Sequence, residues 1–377
     1  MKNVLFVIPE YIHGGTNKTL ENLLTFMDMS NYIVSIYAIR EDGGEYYRKV
    51  FDPYIVKKSL WFYWTHDNYF VRKIANVIRK LFCHNDYTIL YKREIEWLQQ
   101  KYHFDTIVAY QEGSPTHFVS LLERINVKKI TWFHSPYLWV INKDVEQSKD
   151  LYSKFDKIVC VSNTFANLFK NVMPELSDKV ISIHNTMNDN LVLQMSDETI
   201  TDVKFDNRCF NIVSVGRFVH QKRFDVIPGI ARKLKDQGVD NLKWYIIASG
   251  KDERNITEEE IKKKDVSDCV IILGERNNPY PYIKNSDLMV VTSETESYPT
   301  VINEAKVLHT PIVSSDYASA KEILPTSCGF VTSIEEMPNL LFDIINNKNN
   351  IYTNIKKSIS SYRYENEEIM KQVYSIL

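Results

Sequence analysis

Val290-Val-Thr-Ser-Glu-Thr-Glu296-Ser-Tyr-Pro-Thr-Val-Ile-Asn-Glu304-Ala305 sets two glutamates around a Tyr-Pro turn, between an apolar strand-like run and a helix-like one. A helix that begins near Pro299 aims unpaired backbone N–H groups and its positive dipole end outward, where a pyrophosphate would be held. Glu304, one turn further in, can accept hydrogen bonds from ribose hydroxyls. Two glutamates at this spacing are by themselves a common arrangement of solvated carboxylates, so their meaning depends on what surrounds them.

The surroundings add charge. Upstream, Val213-Ser-Val-Gly216-Arg217-Phe-Val-His-Gln-Lys222-Arg-Phe-Asp225 reads as a strand, a turn bearing two cations, and a helix. A guanidinium and an ammonium so placed would neutralise a diphosphate, although the same pair on a plain surface would only be solvated. Ile246-Ile-Ala-Ser-Gly250, Ser286-Asp287-Leu-Met-Val-Val and Thr310-Pro-Ile-Val-Ser-Ser-Asp316 read as further strands. Taken in order, these motifs make the chain resemble the family 4 retaining glycosyltransferases of GT-B fold. Their C-terminal domain carries a Gly-Arg…Lys turn, an apolar strand ending in glycine, a small-residue-Asp strand start, and a glutamate pair followed by Ala and a Pro-Val/Ile-Val strand.

The resemblance implies an α/β protein of GT-B fold, two Rossmann-like doubly wound domains facing a central cleft. The boundaries expected are an acceptor-side domain over 1–188, a nucleotide-sugar-binding domain over 189–353, and a helix-like segment 354–377 that crosses back to the first domain. Carried over motif by motif, Glu304 would bind ribose hydroxyls and Glu296 donor-sugar hydroxyls. Arg217 and Lys222 would hold the diphosphate and stabilise its growing charge as it departs. Gly216, Gly250 and the run Ser297-Tyr298-Pro299-Thr300-Val301 would line the same nucleotide-sugar site, with backbone around Glu275 and Arg276 cradling the base. The implied reaction moves a hexosyl or N-acetylhexosaminyl group from a nucleotide sugar, by family frequency a UDP-sugar, to a glycan or lipid-linked acceptor with net retention. Its setting would be capsule, exopolysaccharide or glycolipid synthesis. No cofactor or metal is expected: the chain has no Asp-x-Asp triplet, and Arg217, Lys222 and helix N–H groups can supply the countercharge. Where the family often has glycine, this chain has Arg223, Ala248, Ser297, His309 and Ala318; none of these changes removes a charge the chemistry requires.

Length and composition agree with two domains. The 377 residues exceed one ordinary core, and 44% hydrophobic with 25% charged residues describe a soluble globular protein. A net charge of −2 gives no whole-molecule attraction to nucleic acid. Cys83, Cys160, Cys209, Cys269 and Cys328 are scattered without metal-ligand spacing and read as free thiols of a reducing cytosol. The N-terminal apolar run is short and stops at Pro9, which makes it a first strand rather than a signal peptide.

Short β-branched runs alternate with helical periodicity, the pattern of parallel sheets covered on both faces. Strands are expected at Val4–Ile8, Ile33–Ile39, Thr106–Ala109, Lys129–Phe133, Lys157–Val161 and Val180–Ile183. A second set is expected at Phe210–Val215, Trp244–Ala248, Val270–Leu273, Leu288–Val291 and Pro311–Ser314, after a polar linker or domain edge over Asn188–Asp206. Ligands of doubly wound domains sit outside the carboxyl ends of strands, so the residues just after each strand draw scrutiny. Gly14-Gly15 follows the first strand; locally it is an ordinary turn or a close-approach loop, and the resemblance implies the latter, beside the diphosphate. No Gly-x-Gly-x-x-Gly fingerprint follows, which weakens a dinucleotide reading. His134 closes Lys-Ile-Thr-Trp-Phe-His134, a place where imidazole often caps backbone. The resemblance instead implies contact with the donor sugar near the reacting carbon. Glu112 is a weaker candidate for an acceptor hydroxyl, with a solvated loop carboxylate as the alternative.

Other classes stay open at this level. A sugar-nucleotide epimerase of the same fold would need no acceptor, and a non-catalytic sugar-nucleotide-binding module would release nothing. A glycoside hydrolase using Glu296 and Glu304 is disfavoured, since on one helix they would stand about 12 Å apart along the axis. Residues 57–82 carry Lys57, Lys58, Arg72, Lys73, Arg79 and Lys80 against the single acid Asp67, with Trp61 and Trp64 upstream of an amphipathic run. That segment reads either as a helix packed on the sheet or as a contact with an anionic membrane surface, where a lipid-linked acceptor would be met. The expected location is cytoplasmic, peripheral at the inner face of the membrane.

Overall fold

The computed structural model describes residues 1–12, 14–41, 44–62, 73, 87–123, 126–135 and 145–377. The chain forms two compact units, Met1–Thr186 with Glu365–Leu377, and Met187–Tyr364.

In the first unit, six parallel strands, β1 (Lys2–Ile8), β2 (Tyr32–Ala38), β3 (Thr106–Ala109), β4 (Lys128–Phe133), β5 (Lys157–Cys160) and β6 (Val180–Ser182), lie in the order β2-β1-β3-β4-β5-β6. The second unit repeats the plan with β7 (Phe210–Arg217), β8 (Leu242–Ser249), β9 (Val270–Ile272), β10 (Leu288–Val291), β11 (Ile312–Ser315) and β12 (Gly329–Thr332), ordered β12-β11-β10-β7-β8-β9. Every pairing is parallel. Helices cover both faces, so strand residues alternate between two cores rather than between core and water. On one face of the second sheet Ile212, Trp244, Ile246, Leu288, Val290 and Val313 pack under the helices Ile227–Asp236 and Met337–Ile345. On the other, Val213, Ile247, Met289, Val291 and Ile312 pack under the helix Thr300–Val307.

Strand order reverses between β1 and β3 in the first unit and between β7 and β10 in the second. These switch points open crevices at the carboxyl ends of those strands. The opposite ends are pinned by aspartates. Asp105 accepts from Asn3 N, Asp156 from Lys129 N and Asp287 from Asn211 N, at 2.7–2.8 Å, each bonding a neighbouring strand. A one-residue slip would break these bonds and turn every side chain to the wrong core.

Strand β12 is not among the strands expected from the sequence: it is four residues long and begins on a glycine. Gly329 is a close-approach residue: a Cβ there would run into the Ile312 carbonyl of β11. The stretch read as a linker holds a helix, Asp189–Met195, capped by Asn188, and its acids pair inside the second unit, Asp197 with Lys284 and Asp202 with Arg276. The C-terminal stretch divides into two helices. Ile351–Ile359 stays in the second unit, while Asn366–Ile376 completes the first. In the latter, Ile369, Met370, Val373 and Ile376 are buried, the Tyr374 ring stacks on Tyr32, and Thr106 Oγ1 donates to Leu377 O at 3.1 Å.

Most of the amphipathic segment 57–82 lies outside the described residues. Its start is anchored: Ser59 N and Oγ donate to the buried Glu94, and Phe62 is fully buried beside Tyr37. Leu60 and Trp61 are exposed, with the Arg93 guanidinium 5.3 Å from the Trp61 ring.

Candidate functional site

At the β7–β10 switch point, two loops are joined into one. Strand β7 ends at Arg217, and the chain makes a short 3-10 turn over His220–Lys222. Glu294 N donates to Gln221 O at 2.8 Å, Gln221 Nε2 donates to Thr295 O, and Thr292 Oγ1 donates to Lys222 O at 2.8 Å. These bonds bring the cation-bearing turn against the glutamate-bearing loop. Lys222 Nζ then lies 2.5 Å from Glu296 Oε1, with the two side chains only 16% and 10% exposed. Ser293 Oγ donates to the same carboxylate oxygen at 2.7 Å, and Ser319 Oγ, after β11, holds the Glu296 carbonyl at 2.8 Å. Gly216 makes room for this arrangement: the Phe224 ring and the Lys222 stem come within 3.2 and 3.4 Å of where its Cβ would be.

Arg217 stands apart. It is exposed and makes no ion pair among the described residues, so one cation of the predicted pair is engaged and the other presented to solvent. The helix Thr300–Val307 follows the glutamate loop, and among the described residues no side chain caps its N-terminus at Pro299. Ser297, Pro299 and Val301 are buried while Tyr298, Thr300 and Glu304 are partly exposed. Tyr298 Oη is 3.0 Å from Tyr364 Oη. Glu296 precedes the helix that bears Glu304, so the two carboxylates do not share an axis.

The remaining residues of the second unit sit after β8 and β9. Gly250 and Gly274 adopt left-handed backbone, φ 89° and 79°. The Arg276 side chain folds back on the protein, donating to Asp202 Oδ2 at 2.7 Å and to Leu273 O at 2.7 Å. Hydrogen bonds from Tyr282, then Arg276, hold the Asp202 carboxyl below its usual range. The Arg276 guanidinium is thus engaged by the protein itself, while Glu275 is exposed. Arg223 and His309, two positions where the resembled family has glycine, have φ of 50° and 56°. The backbone there has kept the conformation that favours glycine although the side chain has changed.

In the first unit the singled-out residues gather at the ends of β1, β3 and β4. Gly14 and Gly15 begin the helix Gly15–Phe26, and a Cβ on either would meet nothing within 4 Å, so packing does not demand glycine. The Tyr110 hydroxyl bonds Thr19 of that helix, and the Tyr110 ring lies 4.7 Å from the His134 ring. Glu112 Oε2 accepts from His134 N at 3.0 Å, which makes Glu112 an anchor for His134 rather than a solvated loop carboxylate. His134 Nε2 is buried with no partner among the described residues, and burial pushes the imidazole down to about 3. It is therefore a neutral hydrogen-bonding group at physiological pH.

Sequence reasoning missed Gln221, Thr292, Ser293 and Ser319. Their signal, small polar residues just past adjacent strands, has meaning only once strand order is known.

Residues 196–347 match the family model described as Glycosyl transferases group 1. An uncharacterized glycosyltransferase of Haemophilus influenzae is 27% identical over 375 residues, covering 97% of this chain and 96% of its own length. The capsular polysaccharide biosynthesis glycosyltransferase CapH of Staphylococcus aureus is 25% identical over 193 residues, 47% of this chain and 52% of CapH. Among solved structures, HepE of Anabaena in complex with UDP matches 100% of this chain and 99% of its own, with a TM-score of 0.71 at 15% identity. HepE has also been solved in complex with UDP-glucose, with a TM-score of 0.67. By fold the chain is a GT-B protein, with the group 1 glycosyl transferase match lying across its second unit.

Proposed function

We propose that the chain is a retaining, metal-independent glycosyltransferase that moves a sugar from a UDP-sugar to a glycan or lipid-linked acceptor in polysaccharide synthesis. The observation that carries this reading is the cluster at the β7–β10 switch point. Lys222 and Glu296 pair where an open α/β sheet holds its ligand, with Arg217 exposed at the end of β7 and the helix N-terminus at Pro299 just after the glutamate loop. The complexes of HepE with UDP and UDP-glucose support the donor class, and the name of CapH supports the polysaccharide setting.

Arg217 and Lys222 neutralise the diphosphate, most strongly as the bond to the anomeric carbon breaks and charge collects on the leaving oxygen. Helix N–H groups share that charge, and Glu304 accepts from the ribose hydroxyls. Glu296 accepts from hydroxyls of the donor sugar. In the first unit, the neutral His134, anchored by Glu112, offers a hydrogen bond to substrate without carrying charge. Attack by the acceptor hydroxyl on the face from which the diphosphate leaves gives retention. Exposed Leu60 and Trp61 beside Lys57 support peripheral contact with an anionic bilayer, where a lipid-linked acceptor is met. No described helix is long and apolar enough to cross a membrane.

The test is a thermal-shift screen of nucleotide sugars, followed by nucleotide-release assays with and without lipid-linked acceptors. Acceptor-dependent release is expected. Binding without release would leave a binding module, and release of free sugar and nucleotide without acceptor would point to an epimerase. Sedimentation with anionic vesicles at low salt tests the membrane contact, and wild-type protein that ignores them refutes it.

A further inference from the structure

Lys222 is the cation of the proposed diphosphate pair that the protein itself already engages. Glu296 Oε1 takes both Lys222 Nζ and Ser293 Oγ, while Oε2 accepts from no described residue. Both members of the ion pair are largely removed from water, so solvent does little to screen them. Two cations and one anion therefore face a ligand with roughly two negative charges as a sugar nucleotide, and roughly three as a free nucleoside diphosphate.

Resting on the sugar-nucleotide reading above, we propose that Glu296 and the ligand's terminal phosphate compete for Lys222. This competition makes Glu296 the residue that favours an intact sugar nucleotide over the bare nucleoside diphosphate. A phosphate that draws Lys222 away leaves a carboxylate buried at 10% exposure in need of donors. The hydroxyls of a donor sugar supply them. A free nucleoside diphosphate has no hydroxyl to offer at that place and brings one more negative charge. Once the sugar has moved to the acceptor, Glu296 loses the sugar hydroxyls, returns to Lys222, and weakens the hold on the departing nucleotide. Substrate is thus held and product shed by one carboxylate, through the flexible Lys222 stem that lies across Gly216.

Calorimetric titration with UDP and with UDP-glucose tests this on wild type, Glu296→Gln and Glu296→Asp. Glutamine keeps the shape and removes the competing charge, so UDP should bind about fivefold tighter while the preference for UDP-glucose over UDP falls. The aspartate carboxylate falls short of Lys222 and should move UDP affinity in the same direction by less, which preserves the test should the glutamine variant not fold. Unchanged or weaker UDP binding by a folded variant overturns the competition while leaving the sugar-nucleotide reading intact. Wild-type protein that binds neither UDP nor UDP-glucose overturns the competition and the UDP-sugar assignment together.

Discussion

Replacing Gly216 by alanine tests whether the placement of Lys222 controls turnover. The added Cβ would stand 3.2 Å from Phe224 Cζ and 3.4 Å from Lys222 Cδ and Cε. Carbon atoms rest comfortably at about 3.5–4.0 Å, so the neighbours must yield by a few tenths of an ångström. Phe224 is buried edge-on against Phe218 and has little room. The lysine stem, with several rotatable bonds, gives way instead. The stability cost should be about 1 kcal/mol, the lower end for overpacking. Displacing Nζ from its place beside the diphosphate should lower turnover at least ~10-fold, since small misplacements of a charged group are magnified at a reacting centre. Nucleotide release at saturating donor, measured beside urea unfolding, separates the two effects. Turnover equal to wild type in a stable variant would refute the reasoning.

The two cations should part company on stability. Lys222→Ala strands the buried Glu296 and should cost about 3 kcal/mol in urea unfolding. Arg217→Ala, at an exposed site, should fall within about 0.5 kcal/mol of wild type. Both should lower turnover at least ~10-fold, and full activity in either, with the fold intact, would count against the donor site. His134 has a native value of about 3 against an ordinary 6.5, so the unfolded chain takes up the proton first as pH falls. Its contribution to stability is whole above pH 6.5 and shrinks on acidification toward 3; the urea midpoint of His134→Gln should depend less on pH between 7 and 5. His309→Gly should stabilise by about 0.5–1 kcal/mol, because φ at this position is 56°. A lower midpoint would mean that the His309 contacts with Tyr362 and Arg363 outweigh the strain.

Eleven strands were legible from β-branched runs because a strand covered on both faces needs no polar alternation to announce it. β12 was not, because the glycine that begins it answers to a carbonyl on another strand. Lys222, Glu296 and Arg217 could be picked out by charge and motif, but not the pairing of the first two to the exclusion of the third. That pairing depends on Gln221 and Thr292 joining two loops about seventy residues apart. Glu112 likewise reads as a loop carboxylate until the β3–β4 neighbourhood brings the His134 N–H to it. Two glycine replacements, at Arg223 and His309, look neutral in sequence and prove to sit on left-handed backbone.

The first unit takes its last helix from residues made after the whole of the second, which sets a schedule for biosynthesis. At roughly 5–20 residues per second, the N-terminal sheet waits about 10–40 s while Met187–Tyr364 is translated. Through that interval the surface destined for Ile369, Met370, Val373 and Ile376 stays uncovered, and Tyr32 lacks Tyr374. The second unit is contiguous and can close on itself as it emerges. A ribosome that stalls at Tyr364 would release a finished second unit joined to a first unit that still exposes an apolar patch. Quality-control proteases and chaperones should therefore meet this chain first through its N-terminal half.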